Sequence, residues 1–344
     1  MFNKIKPVIS AADAKALVPL PNGLTQEREK VVRTIENIIC GKDKRKLFIV
    51  GPCSADNENA AVDYAVRLAR VAEAVADKIY IVMRVFTSKP RTRGEGYMGM
   101  IHTPNPTSCE TDINAGIVAA RRTHIRVVQM SGLFTADELL YPDAVEYTDD
   151  ILAYMTVGAR SAEDQTHRFV ASGVDVPVGI KNPINGNLQE LASSIHAVRL
   201  NNEFMFGGMQ VKTDGNEFAH AILRGAVNDR GENIPNYEYD NVMSLNSLCE
   251  NYGIHCPAVI IDTGHSNSGK RTSEVGNILS AAVEISRKYP DYNRLFKGAM
   301  IESYIEEGSQ PPGGGVYGKS ITDPCLGFEQ TKDMIFRAAE RIVL

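Results

Sequence analysis

The sequence predicts an α/β fold, a closed (β/α)8 barrel, and three observations predict it. Short apolar runs recur along the chain; amphipathic helical patterns lie between most of them; and chemistry-bearing residues follow nearly every run. Continuous apolar strands alternating with helices indicate a parallel sheet covered on both faces. Eight of them close a TIM-type barrel, whose strand C-termini share one mouth.

The runs lie at 47–52 ("LFIVGP"), 79–85, 126–130 ("RVVQM"), 154–159, 177–181, 203–208 ("EFMFGG"), 258–262 and 298–301. Helical patterns cover 57–76, 110–122, 161–172, 187–199, 238–252 and 272–288. Residues 1–45 form an N-terminal extension ending in the amphipathic helix "TQEREKVVRTIENIIC", and 46–344 form the catalytic barrel. After the sixth run, 209–237 reads as a long insertion with an extra β segment, "AHAILRG". No internal repeat or low-complexity tract interrupts this order.

The 344 residues are 43% hydrophobic and carry a net charge of −5, which disfavours nucleic acid or an anionic membrane as partner. No apolar run reaches transmembrane length and no signal peptide is visible, so a cytoplasmic protein is expected. The cysteines, Cys40, Cys53, Cys109, Cys249, Cys256 and Cys325, lack CxxC spacing. They read as thiols or single metal ligands rather than a disulfide framework.

Against that net charge, Arg84, Lys89, Arg91 and Arg93 fall within ten positions at one strand end. Arg160, Lys181 and Arg224 follow at other strand ends or their loops, with few acidic residues beside them in sequence. One such Arg is ordinarily a surface salt bridge. Gathered unpaired at one mouth, each like-charge contact would cost about 4 kcal/mol at 4 Å and an effective dielectric near 20. Such a cluster persists when anions occupy it, guanidinium forks matching phosphate and carboxylate oxygens in pairs. In "KPRT" (89–92), Pro90 stiffens the loop so that Arg91 and Thr92 present fixed donors to one phosphate.

A second set, Cys53, His265, Glu302 and Asp323, falls on separate loops of the same mouth. Each alone has an ordinary structural reading. Together, their mixed sulfur, nitrogen and oxygen donors suit a divalent transition metal that polarises a carbonyl. There is no P-loop, no GxGxxG after a strand and no GxSxG elbow; "PPGGG" (311–315) reads as a lid or turn.

These motifs resemble the 3-deoxy-D-arabino-heptulosonate 7-phosphate (DAHP) synthases of the shorter, microbial class. The resemblance lies in "GPCS" (51–54), "VMRV" with "KPRT" (82–92), "GAR…EDQTHR…ASG" (158–173), "GIKN" (179–182) and "ILRG" (222–225). It continues through "IDTGHSNSGK" (261–270), "MIESYIEEGSQ" (300–310) and "YGKSITDPC" (317–325) and spans nearly the whole chain. It implies a metal-dependent, oligomeric barrel, a homodimer or homotetramer, condensing phosphoenolpyruvate with erythrose 4-phosphate at the head of aromatic amino acid synthesis. It implies phosphoenolpyruvate among Arg84, Lys89, Arg160, Lys181 and Arg224, and the aldehyde's phosphate on Arg91 and Thr92. The implied metal ligands are the same four residues, His265 among them, with Mn2+ expected first and Co2+, Fe2+ or Zn2+ as alternatives. Lys89 is the expected proton donor to the new alkoxide, with Glu138 or a metal-bound water handling the proton of the attacking water.

The chain departs from the family's usual "KNGTDG" at "KNPING" (181–186), from its "DCSHANS" or "DFSHANS" at "DTGHSNS", and from its Leu-Asp after Glu138 at "LLYP". None removes a ligand or a core cation. The alternatives are therefore the same chemistry on an amino or otherwise altered tetrose phosphate in a secondary-metabolite branch, or another phosphoenolpyruvate–sugar phosphate synthase. The stretch 143–147 ("DAVEY") departs from the family's "TPQY", so feedback inhibition is not carried over. A Schiff-base aldolase using Lys181 and a catalytically silent paralogue are the readings from other classes.

Overall fold

The computed structural model describes residues 1–91, 94–108 and 110–344. Eight parallel strands close into a barrel: Lys46–Gly51, Ile79–Arg84, Thr135–Glu138, Tyr154–Val157, Val178–Lys181, His220–Leu223, Val259–Asp262 and Phe296–Glu302. The eighth pairs with the first from Leu47↔Gly298 to Gly51↔Glu302. The first strand and four of the shorter ones are buried along their whole length, as strands enclosed by helices outside and side chains inside must be.

Several helices start where the sequence supplies a cap. The side chains of Asn57, Asp112, Asp164 and Asn187 each accept a backbone N–H of the following first turn. The helices Glu58–Ala74, Leu188–Arg199, Tyr239–Glu250 and Thr272–Lys288 match their patterns in place and type, and Ile113–Ser131 runs past the end of its pattern at 122. Between the third and fourth strands, a short 3-10 turn, Pro142–Tyr147, replaces a full helix. The N-terminal helix Leu24–Ile39 buries Val32, Ile35, Ile38 and Ile39 in the core. Its Arg28 is buried too, donating to the Leu152 carbonyl at 2.7 Å and to both Asp175 oxygens. Among the described residues, no helix is long and apolar enough to cross a membrane.

Two strands lie elsewhere than the runs indicate. Residues 126–130 belong to the helix Ile113–Ser131, which Gly132 ends at φ +73°. Their β-branched residues suit a buried helix face as well as a strand. The third strand instead reads Thr-Ala-Asp-Glu, and its polarity hid it. Residues 203–208 belong to an antiparallel hairpin, Asn202–Phe206 with Met209–Thr213, turning through Gly207 and Gly208, both at positive φ. The sixth barrel strand is His220–Leu223, within the segment read as the extra strand. The hairpin thus precedes the sixth strand, and a small ladder, Ala226–Val227 with Asn233–Ile234, follows it.

Closure of the barrel leaves no room at Gly298. A Cβ there would lie 1.8 Å from the Leu47 carbonyl oxygen and 2.6 Å from its carbon, both backbone atoms of the paired strand. Gly298→Ala is expected to lower stability by about 1–3 kcal/mol, the usual range for overpacking a core. Urea unfolding should show a lower midpoint at unchanged slope; an unmoved midpoint would mean that the strands separate at no cost.

Candidate active site

The strand ends deliver the site. Arg84, Glu138, Lys181, Asp262 and Glu302 are the last residues of the second, third, fifth, seventh and eighth strands, and Arg224 directly follows the sixth. A cavity of about 510 Å³ opens among them. Six of the cations expected from sequence line it: Arg84, Lys89, Arg91, Arg160, Lys181 and Arg224. Lys270, which follows the seventh strand, is a seventh. Thr92, expected beside Arg91, lies outside the described residues, as do Arg93 and Cys109.

The cations are not bare, contrary to the sequence expectation. Carboxylates from distant strands counter them: Arg84 Nη1 meets Glu302 Oε1 at 2.7 Å, and Lys89 Nζ meets Asp323 Oδ2 at 3.3 Å. Lys181 Nζ lies 3.8 Å from Glu138 and 3.9 Å from Asp262. Each pair joins residues scores of positions apart, so no local reading of sequence could reveal it. The Phe86 ring adds its π face, 3.9 Å from the Arg84 guanidinium carbon and 5.5 Å from Lys181 Nζ.

Protonation follows from this mixture. Burial opposes the charge of Arg84, but Glu302, then Cys53 and Asp262, reverse that and hold it protonated. Burial likewise opposes the charge of Lys89, and Cys53, Glu302 and Asp323 outweigh it, raising the ammonium pKa. At Lys181 burial wins over Glu138 and Asp262, and its pKa is lowered. Burial also lowers that of Arg224, with Asp262 opposing. Burial would raise the Glu302 carboxyl, yet Arg84 and His265 hold it well below the ordinary range. His265 and Lys181 do the same for Asp262 against its burial.

Of the four metal-type residues, His265 and Asp323 line this cavity, and Cys53 and Glu302 are buried outside its lining. Cys53 Sγ lies 3.6 Å from Asp323 Oδ2, and the Lys89 ammonium stands against both, 2.5 Å from the sulfur. Burial foremost, then Glu302, raises the Cys53 thiol pKa. His265 sits at φ +45°, a conformation uncommon for a non-glycine residue. Its Nδ1 lies 2.8 Å from Asp262 Oδ2, an ion-pair distance, although neither atom makes a hydrogen bond. Among the described residues, no three or more His, Cys, Asp or Glu side chains converge tightly enough to hold an ion as they stand. The donor types fit a divalent transition metal, while Lys89 and Arg84 counter the charge of the set in this conformation.

Asparagines that the sequence reading passed over lock the strand ends together. Asn182 Oδ1 accepts the Arg224 backbone N–H at 2.9 Å and the Asn236 amide at 3.1 Å. Asn267 donates to the carbonyls of Asp262 and Leu223, and its own oxygen accepts the Asn236 N–H. Asn directly after a strand-end Lys, in "KN", was the available signal. On the far side, the Asp323 carbonyl accepts Ser320 Oγ at 2.8 Å, and Gly308 and Cys325 exchange backbone bonds.

Comparison with known proteins agrees with this geometry. Residues 24–335 match the model of the DAHP synthetase I family. The chain is 35% identical over 312 residues to the Tyr-sensitive phospho-2-dehydro-3-deoxyheptonate aldolase of Escherichia coli K12, covering 88% of this chain and 84% of that protein. It is 33% identical to the Trp-sensitive phospho-2-dehydro-3-deoxyheptonate aldolase of Enterobacter agglomerans, over 98% of this chain and 94% of that one. The solved phospho-2-dehydro-3-deoxyheptonate aldolase of Francisella tularensis SCHU S4 superposes with a TM-score of 0.92 at 31% identity, covering 99% of this chain and 98% of that one. With its barrel closed around this cavity and a family match across nearly its whole length, the chain belongs to the DAHP synthetase I family.

Proposed function

We propose that this chain condenses phosphoenolpyruvate with erythrose 4-phosphate, releasing 3-deoxy-D-arabino-heptulosonate 7-phosphate and phosphate in the shikimate pathway. The observation that carries the reading is the ring of six expected cations around one cavity. That is enough positive charge for a carboxylate and two phosphates. Family membership and relatives named phospho-2-dehydro-3-deoxyheptonate aldolase support it.

In this reading Arg84, Lys89, Arg160, Lys181 and Arg224 hold phosphoenolpyruvate, and Arg91 with Thr92 holds the aldehyde's phosphate. Fixing both anions brings C3 of phosphoenolpyruvate against the aldehyde carbon without further loss of translational freedom. As the C–C bond forms, Lys89 gives a proton to the developing alkoxide; its raised pKa keeps the ammonium protonated at neutral pH. Glu138 takes the proton of the water that adds at C2, and the C–O bond to phosphorus-bound oxygen then breaks. The cations receive the departing phosphate. Cys53, His265, Glu302 and Asp323 would hold a divalent cation, Mn2+ first and Co2+, Fe2+ or Zn2+ as alternatives. Bound there, it would supply Lewis-acid polarisation of the aldehyde oxygen.

Product analysis with purified phosphoenolpyruvate and a panel of four- and five-carbon aldose phosphates tests the reading. The heptulosonate 7-phosphate should form from erythrose 4-phosphate; turnover confined to another aldose would overturn the aldehyde assignment. Borohydride added with substrate should leave activity intact, because Lys181 serves as a charge and not as a nucleophile.

Exhaustive chelation should abolish turnover, and Mn2+ should restore it. His265→Ala or Glu302→Ala should retain the fold and lose stoichiometric metal on elemental analysis. Full activity of chelated enzyme would remove the metal from the mechanism.

The two phosphates should separate by mutation. Arg91→Ala should chiefly impair use of the aldehyde, and Lys181→Ala that of phosphoenolpyruvate. A lost charge-assisted contact of about 1.5–3 kcal/mol corresponds to about 10- to 150-fold in kcat/KM. Equal damage to both substrates from each variant would show the allocation to be wrong.

A further inference from the structure

We infer that Asp137 is a positioning residue for the proposed condensation: a buried carboxylate that ties the Lys89 segment and Glu138 together beneath the cavity. Its catalytic consequence rests on the function proposed above; its geometry does not.

Along the third strand, side chains alternate between faces. Glu138 faces the cavity. Thr135 and Asp137 face the other way, toward His124 on the helix Ile113–Ser131. That interface between barrel and helix layer is ordinarily apolar, yet here Thr87, His124, Thr135 and Asp137 are all buried in it. Asp137 Oδ1 accepts the backbone N–H of Thr87 at 3.0 Å and that of Glu138 at 2.7 Å. Its Oδ2 accepts the Thr87 hydroxyl at 2.5 Å and lies 3.2 Å from His124 Nε2. His124 Nδ1 lies 2.9 Å from Thr135 Oγ1.

One proton arrangement satisfies the whole set. Four donors fill the acceptor sites of an ionised carboxylate. With the His124 proton on Nε2, its Nδ1 accepts from Thr135. None of these side-chain atoms is among the buried polar atoms left without a partner. A polar group this deep is held only when it is fully bonded, and a fully bonded set fixes one geometry.

What that geometry fixes is the approach to Lys89. The segment 86–89 is gripped at each of three residues: the Phe86 carbonyl accepts Ala55 N–H, Asp137 binds Thr87, and Lys89 N–H donates to the Met98 carbonyl. Gly99 packs so closely that a Cβ there would lie 2.4 Å from the Thr87 oxygen. Asp137 is the point where this segment meets the strand carrying Glu138. One carboxylate therefore sets the spacing between the proposed proton donor and the proposed proton acceptor.

Three variants test this on the full chain, with Tm, kcat and both KM values measured. Asp137→Ala should lower kcat by about 100-fold, the cost of an ångström-scale misplacement, with KM for phosphoenolpyruvate moving far less. Asp137→Asn should recover to within about tenfold of the natural enzyme, because its oxygen still accepts both N–H groups. Its NH2 then donates to the Thr87 hydroxyl and to His124 in the other tautomer. Thr87→Val removes one bond without opening a cavity, and should give an intermediate loss even if Asp137→Ala fails to fold.

Amide hydrogen exchange at Thr87 and Glu138, read without turnover, should accelerate in Asp137→Ala and not in Asp137→Asn. A lowered Tm with unchanged kcat overturns the positioning role. Equal kinetic damage from the Asn and Ala variants overturns it too, since charge rather than bond geometry would then matter. Unchanged exchange in Asp137→Ala overturns the clamp itself. Natural enzyme that makes no heptulosonate defeats the proposed function instead, and exchange still decides the clamp.

Discussion

The mouth of this barrel depends on one constraint: many cations must coexist around one cavity, several of them buried where solvent screens them little. Among the described residues seven line the cavity, and burial opposes the charge of Arg84, Lys89, Lys181 and Arg224. Carboxylates resolve part of the conflict. Glu302, Asp323, Asp262 and Glu138 come from four different strand ends or loops, and each meets a cation within 4 Å. The balance differs across the cavity: attraction prevails at Arg84 and Lys89, and desolvation at Lys181 and Arg224. Lys181 and Arg224, where burial still opposes the charge, are therefore the cations with most to gain from an anionic substrate. Such a site is preorganised, because its dipoles are set by folding and not by the substrate's arrival.

Holding that charge in place requires rigid strand ends, and the structure supplies rigidity by two means. Hydrogen bonds of the closed parallel sheet fix the strands themselves. Beyond them, side chains bridge the residues that follow: Asn182, Asn236 and Asn267 over the fifth, sixth and seventh strands, and Asp137 between the second and third. Amides suit the first task because they both donate and accept. A carboxylate suits the second because the groups around it are all donors.

Much of the fold and most of the site were legible in the sequence. Strands such as "LFIVGP" and "AVIID" announce themselves by continuous burial, and the caps Asn57, Asp112, Asp164 and Asn187 mark helix starts locally. The third strand failed for a physical reason. Hydrophobicity finds buried strands only where burial is apolar, and Thr135 and Asp137 are buried in hydrogen bonds. The helix end at 126–130 then offered the stronger apolar run. The sixth strand reads as a strand in the sequence but not as a barrel strand, because the hairpin before it, turning at Gly207–Gly208, presents a similar apolar run. Charge pairing was invisible for a different reason: Arg84 and Glu302 lie 218 positions apart. Only closure of the barrel brings them together.

The failure at the third strand is itself informative. Where local pattern and final structure disagree, function or strain is usually the cause. At the opposite end of the barrel, Gly298 and Leu47 meet backbone to backbone with no polar side chain involved, and packing alone sets the requirement. Toward the mouth, the helix-facing side of the third strand exchanges apolar packing for a bonded set around His124 and Asp137. Burial there gives less to stability per residue than a Val or Ile would. In return it admits one arrangement of Thr87 and Glu138, where an apolar contact would tolerate several. The polar order of the mouth thus reaches one layer behind the cavity: Arg84, Glu138 and Arg224 keep buried polar atoms without a protein partner at the cavity itself, while the bonded set around Asp137 lies behind its lining.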